Sequence, residues 1–305
     1  QINMAGIIDP KTGLPITLTP NGTFFVTEDN ILQGLKITKA GSTSLKTDLV
    51  FTVDNSGSMG GEADSIATKI GKFVNYLASK GLDLKVGIVG YDDGGDVSGA
   101  INFTTATEVY NYVNRASLYG TSRTKGFAGT DATPLQTAAS GYASAVYGEN
   151  GIVGITFADS LFAWRSGAQR IYINFTDEPT QPSNQTWFST DGFVKRWSGK
   201  GTVHTVWSGG DTATAYAGYW QKLVYEKPWD LSLRTGGTIK SVATNAADLD
   251  LTTLPVTGAL AQSVLVEFLT SNPTGTHTVK LTVTNGQTGA GASDGQKIFS
   301  GVKYK

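Results

Sequence analysis

Apolar and polar positions along the chain fall into three regimes. From Gln1 to about Lys46, short strand-like runs (Leu14–Leu18, Phe24–Glu28, Leu35–Lys39) are divided by the turn formers Pro20-Asn21-Gly22 and Glu28-Asp29-Asn30. From Asp48 the pattern becomes apolar runs separated by segments of helical period, as expected of a mostly parallel sheet covered on both faces. Strands are predicted at Asp48–Asp54, Leu84–Tyr91, Ala100–Thr104, Arg170–Thr176, Thr202–Trp207 and Thr238–Val242. A helix is predicted from about Glu62 to Lys80, with Ile66, Ile70, Phe73, Val74 and Leu77 on one face and Gly81 as its stop. Further helices are read at Thr107–Arg115, from Pro134 with Leu135, Ala138, Tyr142 and Ala145 inward, at Trp187–Trp197 and at about Ala215–Val224. After Pro255 short strands return at Ser263–Thr270, Thr276–Thr284 and Lys297–Lys303, with a Gly-rich turn from Asn285 to Gly295.

These regimes predict a doubly wound α/β domain over residues 46–255. The two β flanks, 1–45 and 256–305, are each too short to bury a stable core of their own. Pairing them gives one β-sandwich into which the α/β domain is inserted; two separate β appendages are the other arrangement.

Composition narrows the function classes. The 305 residues carry 24 Lys and Arg against 25 Asp and Glu, so bulk electrostatics offers nothing to a nucleic acid. No segment reaches the roughly 20 apolar residues of a membrane-spanning helix. The absence of cysteine excludes disulfides, thiolate metal sites and a cysteine nucleophile. A start at Gln1 suits either a removed signal peptide or a trimmed chain; with 38 glycines, many threonines and 16% charged residues it favours export, and a prokaryotic surface protein is expected. Of the sequons at Asn21, Asn102, Asn174 and Asn184, Asn174 lies in a predicted core strand and is read as chance.

Ligands of open α/β sheets bind beyond the carboxyl ends of the strands. The chain puts Asp54-Asn55-Ser56-Gly57-Ser58 after its first central strand and Asp177 after another. The loop Gly126-Phe-Ala-Gly-Thr130-Asp-Ala-Thr133 brings Thr130 to the same edge. Taken singly, the serines and Thr130 read as helix caps and Asp177 as a turn residue. Together they are an oxygen donor set from three loops, of the kind hard divalent cations favour.

In their order, Asp-x-Ser-x-Ser at 54–58, Gly129-Thr130 before a helix and Thr176-Asp177 after a strand resemble a von Willebrand factor type A domain, the fold of integrin I domains. The similarity extends over about 46–254 and includes Val86-Gly-Ile-Val-Gly-Tyr91 and Thr235-Gly-Gly237. The resemblance implies a metal-ion-dependent adhesion site holding Mg²⁺, with Mn²⁺ or Ca²⁺ as alternatives. It implies that Ser56 and Ser58 bind the cation directly, Thr130 directly or through water, and Asp54 and Asp177 mainly through water. With few carboxylates bound directly, the cation keeps charge and an open position for a partner's carboxylate.

Asp92, Asp93 and Asp96 are a candidate second cation site, with a solvated turn as the other reading. Glu62, Asp131 and Glu178 flank the main site and are candidates for partner contact, with exposed acids on helix or loop as the plain alternative. Catalysis is not expected: His204 and His277 fit no zinc motif, and Gly291-Ala-Ser-Asp-Gly295 lacks the following helix of a nucleophile elbow. The expected function is cation-dependent adhesion at the cell surface, to a protein or glycan offering a carboxylate. The alternative is a self-assembling subunit of an extracellular filament or envelope structure.

Overall fold

The computed structural model describes residues 1–5, 24–39, 45–92, 94–114, 127, 135, 137–139, 142, 146–197, 200–283 and 295–304, with the backbone alone for 295–297. The first strands are β1 (Ile2–Met4), β2 (Phe24–Glu28), β3 (Ile31–Gln33) and β4 (Leu35–Lys39). Asp29 and Asn30 take left-handed backbone angles, which makes Glu28-Asp29-Asn30-Ile31 a tight hairpin between β2 and β3. The expected strand at Leu14–Leu18 lies outside the described residues.

The α/β part begins with β5 (Leu45–Asp54), whose apolar run is buried almost throughout, as a strand covered on both faces requires. Helix α1 (Gly60–Ser79) follows and buries Ile66, Ile70, Phe73, Val74 and Leu77, the face read from the sequence. Then come β6 (Leu82–Tyr91), β7 (Val97–Thr104) and α2 (Ala106–Val113), the last held by a capping box between Thr105 and Glu108. The chain continues through α3 (Gly151–Leu161), β8 (Gln169–Thr176), α4 (Thr190–Arg196), β9 (Thr202–Trp207), α5 (Pro228–Arg234), β10 (Ile239–Ser241) and α6 (Pro255–Ala261).

Six strands form one sheet in the order β10-β9-β8-β5-β6-β7, parallel except for β7 at one edge. Side chains of β5 alternate between two cores: Leu49, Phe51 and Val53 pack with α1, and Val50 packs with Val153 and Phe157 of α3. The strand order reverses at β5. From there the chain runs outward through β6 and β7, then returns to lay β8 on the other side. The crevice beyond β5 and β8 is thus the switch point where such sheets bind ligands.

Three expectations are corrected. Residues 215–224 form linked turns and no helix, because Tyr216, Gly218 and Leu223 have positive φ. Trp187–Trp197 is broken at extended Ser189, whose hydroxyl caps α4 by accepting from the Gly192 N–H at 3.1 Å. Pro255 opens helix α6 ahead of any strand, and its Val256 and Leu260 join the core beneath α1.

Near the C-terminus lie β11 (Val264–Phe268), β12 (His277–Val283) and β13 (Gly295–Val302). They complete two small sheets, β1-β11-β4 and β13-β12-β2-β3, each combining strands from both ends of the chain. Met4, Val264 and Val266 from the first sheet share an apolar cluster with Phe24, Val26, Val279, Leu281 and Val283 from the second.

Candidate metal centre

Parallel pairing of Val53 with Phe175 brings the ends of β5 and β8 side by side. Asp54, the last residue of β5, is fully buried. The Ser56 backbone N–H donates to its Oδ1 at 3.0 Å and the Thr176 hydroxyl donates to its Oδ2 at 3.1 Å. The loop after β5 is tied to β6 by the Asn55 N–H, which donates to the Tyr91 carbonyl at 2.6 Å. That turn presents Ser56 Oγ 3.0 Å from Ser58 Oγ, and the Ser58 hydroxyl donates to Asp177 Oδ1 at 3.1 Å. Asp54, Ser56, Ser58 and Asp177 therefore form one linked array, with Ser58 exposed and Asp54 at its base.

Neighbouring loops close around the array. Gly209 packs so tightly on Asp177 that a Cβ there would fall 2.2 Å from the Asp177 carbonyl oxygen and 2.4 Å from the Trp207 ring. Glu178 is held by its N–H, which donates to the Thr176 hydroxyl at 3.1 Å. Glu62, at the start of α1, is 2% exposed and has Oε1 without a partner. It lies beneath the site, buried rather than displayed. Thr130 and Asp131 lie outside the described residues.

Glu149 has no signal in the sequence, because it precedes a helix whose all-apolar first half hides its period. The residue is 8% exposed, and its Oε2 lacks a partner. Its backbone is fixed by Gln181 N–H donating to the Glu149 carbonyl at 2.9 Å. Next to it, Asn150 caps α3 by accepting from Ile152 N–H at 3.0 Å and donates to the Phe188 carbonyl at 3.0 Å.

Burial together with like charge shapes the electrostatics. Burial pushes Asp54 up to about 7, against the bonds from Ser56 and with help from the Asp177 charge. Glu149 is pushed up to about 9 by burial, then by Asp54 and Glu178. Burial also raises Asp177, Glu62 and Glu178, with the Asp177 charge adding to the last two. Among the described residues none of these five carboxyl groups forms an ion pair. No cationic side chain among the described residues offsets the charge these carboxyl groups carry when ionised, and their raised values express that cost.

Among the described residues no three His, Asp or Glu side chains are arranged as a carboxylate or imidazole cage for a metal. The donors that do converge are mixed, two hydroxyls with carboxylates beside them. Hard oxygen chemistry, carboxyl groups without a cationic partner among the described residues, and bare buried oxygens on Glu62 and Glu149 all fit a divalent cation. Asp92 and Asp96 stand apart in a turn after β6, where Gly94 N–H donates to Asp92 Oδ1 at 3.2 Å; Asp93 lies outside the described residues.

No family model matches the chain, and no curated protein matches it in sequence. Solved structures do resemble it. The pilus adhesin SpaC of Lactobacillus rhamnosus GG, in its open conformation, aligns over 98% of this chain and 49% of its own, at 15% identity and TM-score 0.45. The chain thus spans about half the length of that adhesin. The conserved hypothetical protein BatB of Bacteroides thetaiotaomicron aligns over 65% of this chain and 90% of its own, at 15% identity and TM-score 0.35. The manganese-loaded TRAP protein of Plasmodium vivax aligns over 90% and 100%, at 10% identity and TM-score 0.35. Likeness at these scores carries no functional argument, which falls to the site.

Proposed function

We propose that this chain is a cation-dependent binding protein of the cell surface and not an enzyme. Its α/β part is a von Willebrand factor type A domain inserted in a β-sandwich made by the two chain ends. Strand sharing in both small sheets and their common apolar cluster support that arrangement. Ser56, Ser58 and Thr130, with Asp54 and Asp177 behind them, would hold Mg²⁺ (or Mn²⁺ or Ca²⁺). When bound, the cation supplies a Lewis-acidic position that takes an acidic group of a protein or glycan partner.

The observation that carries this reading is the hydrogen-bonded array Asp54-Ser56-Ser58-Asp177 at the switch point of the sheet. Ser58 is exposed, Asp177 is half-buried, and Ser56 and Asp54 lie buried behind them. A ligand that binds only the folded protein raises its melting temperature by mass action. Mg²⁺ or Mn²⁺ is therefore expected to raise Tm in the wild type and not in Ser58→Ala, by differential scanning fluorimetry. An equal response in both proteins would sink the proposal.

One observation favours a structural subunit as a second reading. Strand β3 is an edge of its sheet and displays Ile31 and Leu32, 62% and 64% exposed. An open apolar edge of this kind is a template for pairing with another chain.

A further inference from the structure

A cleft lies at the opposite end of β8 from Asp177. Its volume is about 330 Å³, at the small end of the range of ligand sites, and it opens where β1 of the first flanking sheet meets the starts of β8 and β9. Met4, Ile171 and Phe299 contribute apolar surface, and Asn3, Gln169, Arg170 and Lys200 contribute polar groups. Gln169 is 6% exposed, yet neither its amide nitrogen nor its amide oxygen has a partner. Asn3 donates from Nδ2 to the Gly167 carbonyl at 2.7 Å and leaves Oδ1 bare. Buried polar atoms without partners are rare, because they carry their desolvation cost uncompensated. Arg170 and Lys200 share one carboxylate, that of Asp159, at 3.3 and 2.8 Å, and no acidic residue is among the described residues that line the cleft. Two cations thus stand against one anion, beside two incompletely bonded amides.

We infer that this cleft takes the carboxyl end of a peptide, with Arg170 and Lys200 on the carboxylate and Gln169 on the backbone amide before it. The inference stands apart from the cation-dependent reading, whose residues lie at the other end of the sheet. The chemistry of the bare groups selects the ligand. A primary amide has two N–H donors and a carbonyl acceptor, so it pairs with a peptide group through that group's C=O and N–H. Asn3 Oδ1 is an acceptor for a further N–H. Arg170 meets Asp159 through Nη1, so its guanidinium keeps donors for a second anion. A carboxylate held by guanidinium and ammonium gains charge-assisted bonds, the means by which chain termini are captured. A peptide terminus carries amide and carboxylate on adjacent groups, which suits so small a volume. No hydrogen bond holds the Gln169 amide in its sheltered position, so turning toward an occupant breaks none. With walls from β1 and from the α/β sheet, the cleft lets its occupant tie the flank to the domain.

The test is isothermal titration calorimetry on the full chain with acetyl-diglycine, its C-terminal amide, and glucuronate. Acetyl-diglycine is expected to bind, and the amide form to bind about tenfold more weakly, as loss of a charge-assisted contact implies. Lys200→Gln removes a cation whose side chain is 45% exposed, and is expected to weaken acetyl-diglycine about tenfold with little change in Tm. Gln169→Met keeps the length of the side chain and removes the bare amide. Its Tm without peptide is expected to hold or rise, because no hydrogen bond is lost, while affinity for acetyl-diglycine falls about tenfold. A glutamine that only fills space would leave the affinity unchanged, and that result overturns the inference. So does a wild type that binds no acetyl-diglycine, or binds its amide equally well. Binding of glucuronate in place of acetyl-diglycine, lost in the same two variants, assigns the cleft to an acidic sugar and overturns the peptide reading. Should Gln169→Met not fold, Lys200→Gln and the amide control carry the test: weaker binding in both supports the inference, and unchanged binding in either overturns it.

Discussion

Asp48, buried inside β5, is kept there by a single side chain. Arg165 gives its Nε to Asp48 Oδ1 at 2.7 Å and its backbone N–H to Oδ2 at 2.8 Å, and its guanidinium also reaches Asp83 Oδ1 and the carbonyls of Thr47 and Asp83. Every guanidinium nitrogen has a partner, so the pair is satisfied despite its burial. Removing one member of such a pair leaves the other uncompensated. Arg165→Ala is expected to destabilise the chain by about 3–5 kcal/mol, read from urea denaturation, whereas exposed pairs contribute about 1 kcal/mol or less. The metal centre shows the reverse, carboxylates buried without a guanidinium. Its Asp-x-Ser-x-Ser core was legible because short-range spacing alone defines it. Glu149 was not, since only the fold brings residue 149 beside Asp54. Thr176 was visible as a strand end, but its bond to Asp54 depends on the β5–β8 pairing.

Elements followed the sequence wherever one face was apolar and the other polar. Phe24–Glu28 and Leu35–Lys39 are strands as read, and α1 buries the predicted stripe. Helix α3 escaped because its first five residues, Gly151-Ile-Val-Gly-Ile155, are all apolar and buried, and Thr156, Asp159 and Ser160 mark a polar side only in its second half. Pro255, read as the point where short strands return, instead opens α6, and Pro228 likewise occupies the first turn of α5. Close approach of α3 to the sheet depends on Gly151, where a Cβ would lie 2.5 Å from Asn174 Oδ1. That oxygen already accepts from Thr52 at 2.9 Å and Tyr91 at 3.1 Å, deep in the sheet, so Asn174 is no glycan acceptor. Gly151→Ala is expected to cost about 1–3 kcal/mol through overpacking, measured as a lower midpoint of chemical denaturation.

At the scale of the whole molecule, the two chain ends are joined by titratable groups as well as by strands. His277 of β12 contacts Asp29 of the β2–β3 turn, Nδ1 to Oδ2, at 2.7 Å, and Thr278 N–H donates to Asp29 Oδ1 at 2.8 Å. Asp29 holds His277 above its ordinary 6.5, while the Thr278 and His277 bonds hold Asp29 below its usual value. A histidine raised on folding contributes stability that is full below about 6.5 and fades as pH climbs through its folded value. The lowered Asp29 contributes above about 3.9 and loses its share as pH falls further. The Tm gap between wild type and His277→Gln is therefore expected to be wider at about pH 5.5 than at about pH 8. An equal gap at both would mean the ion pair does not contribute.

Strand β5 runs from Leu45 to Asp54 at the candidate cation-binding loop, a span of ten residues or about 33 Å. Tension between a captured partner and the flanks would run along that strand, loading its parallel pairings with β6 and β8 in shear. Hydrogen bonds so arranged yield together and not one after another, so such a load would meet the ten paired residues of β5 and β6 at once.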